Sequence, residues 1–561
     1  MKEGTVNLSS RFGKSAQSAV AALSALAFVA LAGCSNSAST STSDSGASAA
    51  SRGTLVYATG DAEPTCLDPH VGGNFPQALV GNQVMESLWS RNSEGELIPW
   101  LATEGTEAAD KMSWTVKLRE GVTFHDGTPF NAEAVAANIA HLKDPDTASS
   151  TGILSVQKIS SVDAVDEYTV RFNLSEPDGA LMEVLAQPWT AMMSPAGIER
   201  GKEANCEQPF GTGPFKVESW QRKQQINLVR NDNYNSAPAD AENKGKAYLE
   251  RIEWRFIPES ATRLGALESG QVDVIDSVQP DALARYKQSE NFGTAMFARL
   301  GLNTRIELNT TGPVFADKAV REAFSKSMNL NPAIETLFSG MYERSYSLLA
   351  DTLPFGTPRP DLFEYDPQLA NQLLDEAGWT DRDADGTRMK NGQRLEVRFP
   401  LSTNQSIPAE VSLVEQIAQT AKEVGFDVKI EQLDLASWYE RSGTWNFDAI
   451  IAPYSTTSPD VLRRVYHSSA NVPAPSGYHA NQTGVKDPQL DEILTQASHE
   501  SEASVRGPLY QQAQNMILEN GVVIPLYGQM VQIAYSNQVE GLRLQPQLGV
   551  PNFLDAKIAA K

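Results

Sequence analysis

Soft metal ligands are scarce in this chain: six histidines and three cysteines in 561 residues. His467 and His479 stand twelve apart in a Ser/Pro-rich stretch. They could hold a metal as a pair, with solvent-facing loop histidines as the competing reading. DRDADGTRMKNG (381–392) copies part of a calcium loop, with Asp381, Asp383 and Asp385 at positions 1, 3 and 5 and Gly386 at the turn. Position 12 needs a bidentate Glu and is Gly392, and LEVRFPL behind it reads as a strand, so a polar turn is expected. GTGP (211–214) lacks the G-x-G-x-x-G spacing, and Pro214 removes a standard helix-initiating phosphate nest. G-x-S-x-G, H-E-x-x-H and G-x-x-x-x-G-K-[ST] are all absent. The expectation is a protein that is not an enzyme, with no catalytic residues, no cofactor and no resident metal.

The elements around these residues begin with a leader. Lys2, Arg11 and Lys14 precede fourteen residues, 19–32, that are apolar except Ser24. That run is too short to span a bilayer, which takes about 20 residues, and reads as a secretory signal. LAGC (31–34) ends it and resembles a bacterial lipobox, in which the cut falls before the Cys and its sulfur carries diacylglycerol. The resemblance implies that Cys34 is a lipid anchor. Residues 35–51 follow, eight of them Ser. Such a stretch makes a flexible tether with an r.m.s. span of roughly 20–25 Å.

Cleavage would leave residues 34–561 and remove three basic residues and one acid, moving the formal charge from −23 to −25. Acidity of that size speaks against nucleic acid and suits a soluble body. The length implies two or three domains. Cys66 and Cys206 are an even pair in an exported chain, which favours a disulfide. Strands are predicted at 55–60, 114–119, 168–174, 252–257, 395–401 and 428–433. Helices interleave with them: Asp366, Asp487 and Asn131 are predicted N-caps, and Gly378 a helix stop. Mixed elements throughout indicate an α/β body.

Eight stretches, in order, resemble the extracellular solute-binding proteins of peptide-type ABC importers, family 5. They are CLDPH (66–70), WTVKLREGVTFHDGTPFNAEAVAANI (114–139), PFGTGPFKVESW (209–220), LVRNDNY (228–234), LESGQVDVI (267–275), AVREAFSKSMN (319–329), LLDEAGW (373–379) and IPLYG (524–528). The resemblance implies an α/β, bilobal, periplasmic-binding-protein type II-like fold with an extra inserted domain and a hinge between lobes. Carried over in order, 1–33 is the signal peptide and 34–51 the tether. Domain I takes 52–78, 206–298 and 524–561, domain II takes 79–205, and domain III takes 299–523. His125 and Asp126 read as a turn, Gly211 and Gly213 as points of tight backbone geometry, and Arg321 as the partner of a carboxylate.

The family's function is implied with the fold: a lipid-anchored receptor, monomeric, on the outer face of the cytoplasmic membrane. It would hand a peptide or peptide-like ligand to a separate permease and ATPase. The alternatives are a receptor for nickel or a metal chelate, an extracytoplasmic hydrolase, and a signalling or adhesion lipoprotein. In peptide-binding relatives the segment after the F-D strand lines the cleft, here 447–469, and an Asp there pairs with the peptide ammonium. That Asp is missing near Thr456 or Thr457, and Asp460 is the nearest carboxylate. Tyr454, Ser455, Thr456, Thr457 and Asp460 are therefore ligand candidates. Trp438, Trp445 and Trp189 are aromatic candidates, and Asn303 and Thr304 could face the cleft at the crossover into domain III.

Overall fold

The strand Thr54–Thr59 is the middle of the largest sheet, and its sequence explains the place. Leu55, Tyr57 and Ala58 are fully buried, so it needs cover on both faces. It runs parallel to Arg251–Phe256 on one side and Val274–Ile275 on the other. Tyr57 and Trp254 face each other across the first pair, with ring centroids 4.0 Å apart. Phe292–Ala298, Met530–Ser536, Gln225–Arg230 and Phe215–Gln221 complete seven strands with antiparallel neighbours. The computed structural model describes residues 53–559, apart from 93–94, 404–405 and 475–476. The expected leader, Cys34 and the tether lie outside the described residues. No described helix is long and apolar enough to cross a membrane.

A second sheet, of four antiparallel strands, comes from residues 102–174. Its strands alternate as their sequences require: Val116 and Leu118, and Val170, Phe172 and Leu174, point into one core. Helix Ala132–Lys143 covers that face with Val135, Ile139 and Leu142, and Asn131 caps it by accepting from the Ala134 amide.

The third region builds its sheet around Gly301–Leu308, buried along its whole length between Ala449–Ser455 and Val523–Tyr527. Beside it, Glu396–Ser402 pairs in parallel with Asp427–Leu433. The expected division between residues 523 and 524 falls inside the strand Val523–Tyr527, whose residues pair with Gly301–Leu308. Helix Pro367–Glu376 is capped by Asp366 and Pro488–Ser498 by Asp487. Gly378, at φ +84°, follows the first of these in the left-handed conformation. Each of the six strand runs read from the sequence is a strand.

Candidate functional site

Parallel strands end together, and the loops at their carboxyl ends leave a crevice that α/β proteins use for ligands. Here Thr54–Thr59 and Val274–Ile275 end side by side and are followed by Asp61 and by Asp276–Ser277. Asp276 ties the two ends: it accepts from Tyr57 OH at 2.8 Å, Thr59 Oγ1 at 2.7 Å and the Gly60 amide at 2.7 Å. Arg263 lies under the same turn and donates to the carbonyls of Ile257, Pro258, Asp276 and Ser277. Gly60 makes room for it, since a Cβ there would sit 2.4 Å from the guanidinium.

The crevice is a cavity of about 700 Å³, within the range of small-molecule sites. Asp61, Asp276, Arg299 and Gln532 line it from the seven-stranded sheet. Across it stand Thr304, Tyr454, Ser455 and Tyr527 from the three-stranded sheet, with Glu410, Trp438 and Tyr439 from two helices. Tyr342, Tyr478, Phe75 and Trp189 add further aromatic wall. Five buried polar atoms of lining residues have no partner among the described residues: Trp189 Nε1, Arg299 Nε, Ser402 Oγ, Tyr454 OH and Gln532 Nε2. Buried polar groups are usually satisfied, so these atoms have bonding capacity to spare on the cavity wall.

Four acids line the cavity: Asp61, Asp276, Glu410 and the solvent-exposed Glu440. Burial, then the neighbouring Asp276 charge, pushes the Asp61 carboxyl up to about 7. Burial likewise raises Glu410, whose oxygens accept from Tyr527 OH at 2.7 Å and the Ile407 amide at 3.2 Å. Burial brings the Arg299 guanidinium down to about 10; its Cζ lies 3.5 Å from the Phe75 ring centroid.

The structure separates the sequence candidates into two groups. Thr304, Trp438, Tyr454, Ser455 and Trp189 line the cavity; Asn303, Thr456, Thr457, Asp460 and Trp445 do not. Asn303 spends its amide on Ser345, Ser347 and Leu349. Thr456 accepts from Gln187 Nε2 at 3.1 Å, and the Thr457 hydroxyl donates to the Glu183 carbonyl, so both hydroxyls dock onto the 181–187 segment. Trp445 stacks on Phe447. Asp460 is buried among arginines, 2.8 Å from Arg463 and 3.3 Å from Arg464. Burial would raise its carboxyl, but the two guanidiniums outweigh burial and hold it at about 2. It is spoken for within its own helix and does not face the ligand space.

Other expectations resolve similarly. Gly211 and Gly213 serve close approach: a Cβ on Gly211 would lie 2.1 Å from the Val84 carbonyl oxygen. His125 Nε2 bonds the Gly213 carbonyl at 3.0 Å, which locks the FHDG turn onto the GTGP segment. Arg321 takes no carboxylate among the described residues; it donates to the carbonyls of Phe315, Ala316 and Asn520. Cys66 and Cys206 form a disulfide, reinforced by a bond from the Leu67 amide to the Cys206 carbonyl. The 381–392 stretch is a β-hairpin, Asp381–Arg382 pairing with Arg388–Lys390, and in its turn Asp383 accepts from the Asp385 and Thr387 amides.

His467 and His479 are outside the cavity lining, and both His479 ring nitrogens are engaged by the carbonyls of Asn471 and Gly443. Among the described residues the tightest metal-type group is Asp68, His70 and His141, within 4.8 Å. His141 Nε2 bonds Asp68 at 2.9 Å and His70 Nε2 bonds the Ala191 carbonyl at 3.0 Å. It braces the CLDPH turn and lies off the cavity wall.

The sequence reading missed Asp61, Arg299, Glu410 and Tyr439. Two weak signals existed: Tyr439 adjoins Trp438, and Arg299 lies four residues before Asn303 at the crossover.

Residues 96–474 match the family described as "Bacterial extracellular solute-binding proteins, family 5 Middle". The glutathione-binding protein GsiB of Escherichia coli O1:K1 / APEC is 27% identical over 503 residues, covering 88% of this chain and 92% of that protein. The nickel-binding periplasmic protein of Escherichia coli (strain K12) is 27% identical over 491 residues, covering 84% and 90%. The oligopeptide-binding protein AppA from Bacillus subtilis, solved with a nonapeptide, superposes with a TM-score of 0.79 at 23% identity, covering 91% of this chain and all of that one. These proteins share the type II periplasmic-binding fold expected from the sequence, and the family consists of extracytoplasmic binding components of ABC importers, not enzymes. The match over most of the chain, on that fold, makes this protein a member of the bacterial extracellular solute-binding proteins, family 5.

Proposed function

We propose that the protein is the receptor of an ABC importer for peptides or peptide-like solutes, held to the outer face of the membrane through Cys34. The observation that carries the ligand class is the cavity itself. About 700 Å³ walled by Trp and Tyr side chains, with carboxylates and a guanidinium, suits a small solute that has an apolar body and charges of both signs. One relative binds glutathione by name, which supports the same class. Imidazole ligation of nickel has no support at this site, because none of its lining residues is a His or Cys.

The three-domain division belongs to the same reading, with the chain leaving domain III after Tyr527 rather than at 523, since that strand pairs with Gly301–Leu308. The protein works as a monomer beside a separate permease and ATPase. Native mass spectrometry of protein purified from its host tests the ligand class: a co-purifying peptide-sized solute is expected, and a chelated metal alone would overturn it. Cys34→Ser tests the anchor: the protein should move from the detergent phase to the aqueous phase, and unchanged partition would refute lipidation.

A further inference from the structure

Two opposite charges face the same cavity without touching. Asp61 and Arg299 both line it and influence each other electrostatically, yet they form no ion pair. Among the described residues the Asp61 carboxylate accepts one hydrogen bond, from the Ala62 amide to Oδ1 at 2.7 Å, which leaves Oδ2 open. Of the other lining acids, Asp276 takes three donors, each Glu410 oxygen takes one, and Glu440 is exposed to solvent rather than buried in the cavity. Arg299 is held by the Phe75 ring, and its Nε is buried with no acceptor. A desolvated charge with hydrogen-bonding capacity left unfilled is costly, so both groups are poised for something that enters between them.

We propose that Asp61 receives a ligand ammonium and Arg299 a ligand carboxylate, so that the cavity selects solutes carrying both groups. The inference rests on the reading of this cavity as the ligand site. It moves the ammonium-binding acid away from the 456–460 segment, whose hydroxyls and carboxylate are turned elsewhere, to the loop after the first strand. An ammonium offers up to three donors to Asp61 and its neighbours, and a guanidinium matches a carboxylate geometrically.

The test is calorimetry on the full-length folded protein with four probes: a tripeptide pool with free termini, the same pool N-acetylated, the pool C-amidated, and a pool of non-peptide amino-acid zwitterions. On the wild type, acetylation and amidation should each weaken binding at least tenfold. In Asp61→Asn the acetylation penalty should shrink to within twofold while the amidation penalty stays, and Arg299→Gln should show the reverse. Asp61→Glu and Arg299→Lys, which keep the charges, should retain most of both penalties. Penalties that survive the matching neutral variant, or blocked and free pools that bind alike to the wild type, would overturn the proposal. So would a wild type indifferent to every zwitterion. A wild type that ignores peptides but binds the non-peptide zwitterions, with the same losses in the variants, would sink the peptide reading and keep this one.

Discussion

Around Glu86 every carboxylate oxygen is occupied, whereas around Asp61 one is left open. Glu86 accepts from Trp100 Nε1 at 3.0 Å, Tyr234 OH at 2.7 Å, Thr212 Oγ1 at 2.7 Å and Ser236 Oγ. Those donors come from segments nearly 140 residues apart in sequence, so one buried acid joins the 79–205 region to the seven-stranded sheet's flank. Asp61 is also raised to about 7 by its surroundings, but it has a single backbone donor and a cavity in front of it. The contrast separates two uses of a buried carboxylate. A saturated one defines the fold; an unsaturated one waits for a ligand. The recognisable motifs, FHDGTPF and GTGPF, cluster with the saturated kind.

Removing the disulfide should have the largest effect and fall wholly on the saturated side. The bridge closes a separation of 140 residues, and the chain-entropy account gives about 4–5 kcal/mol for a loop of that order. Urea unfolding of the Cys66→Ser/Cys206→Ser protein should show that loss, with affinity for the free tripeptide pool within twofold of wild type. Equal unfolding midpoints would contradict the bridge's structural role.

Asp460→Asn comes next. It leaves Arg463 and Arg464 buried without their acid, a loss of about 3–5 kcal/mol by analogy with broken buried pairs. The wild-type carboxyl is held at about 2, below its ordinary value. Its contribution to stability is therefore present above the ordinary carboxyl range and disappears as pH falls toward 2. The same variant should leave the preference for free over N-acetylated peptides intact, and a lost preference would move Asp460 to the ligand side.

The effect of opposite sign belongs to Asp61→Asn in the ligand-free protein, and below pH 4 it is the smallest of the three. The folded carboxyl sits at about 7, above the ordinary 3.8, so folding holds its proton more tightly. Ionising it therefore costs stability progressively as pH rises from about 4 to 7, with Asp276 opposing the charge and Arg263 and Arg299 softening it. The variant should melt above wild type by a margin that widens across that window. A margin that stays flat from pH 4 to 8 would show that Asp61 is not the strained acid of the pair.

Much of the fold was legible because it is written locally. Alternation in YTVRFNL and WTVKLR, Asp-Pro openings and Gly378 act within a few residues, where sterics and capping decide the outcome. The site was less legible. Tyr454 and Ser455 were named through the family resemblance, and both end the strand Ala449–Ser455 at the cavity. Two residues further on the chain turns, and Thr456 and Thr457 spend their hydroxyls on a different region.

By itself the sequence determined the family, the α/β organisation, the helix caps and the cysteine pair, because each rests on short-range spacing or on an ordered series of motifs. Only the tertiary structure decided which charges meet the ligand. Asp61, Arg299 and Glu410 are each more than a hundred residues from the next along the chain and share a cavity because three sheets converge there. Whether a carboxylate is saturated, as Asp460 is by its own helix, or open, as Asp61 is, depends on donors that the fold brings from elsewhere. Desolvation and hydrogen-bond satisfaction are properties of that assembled environment, and no local pattern encodes them.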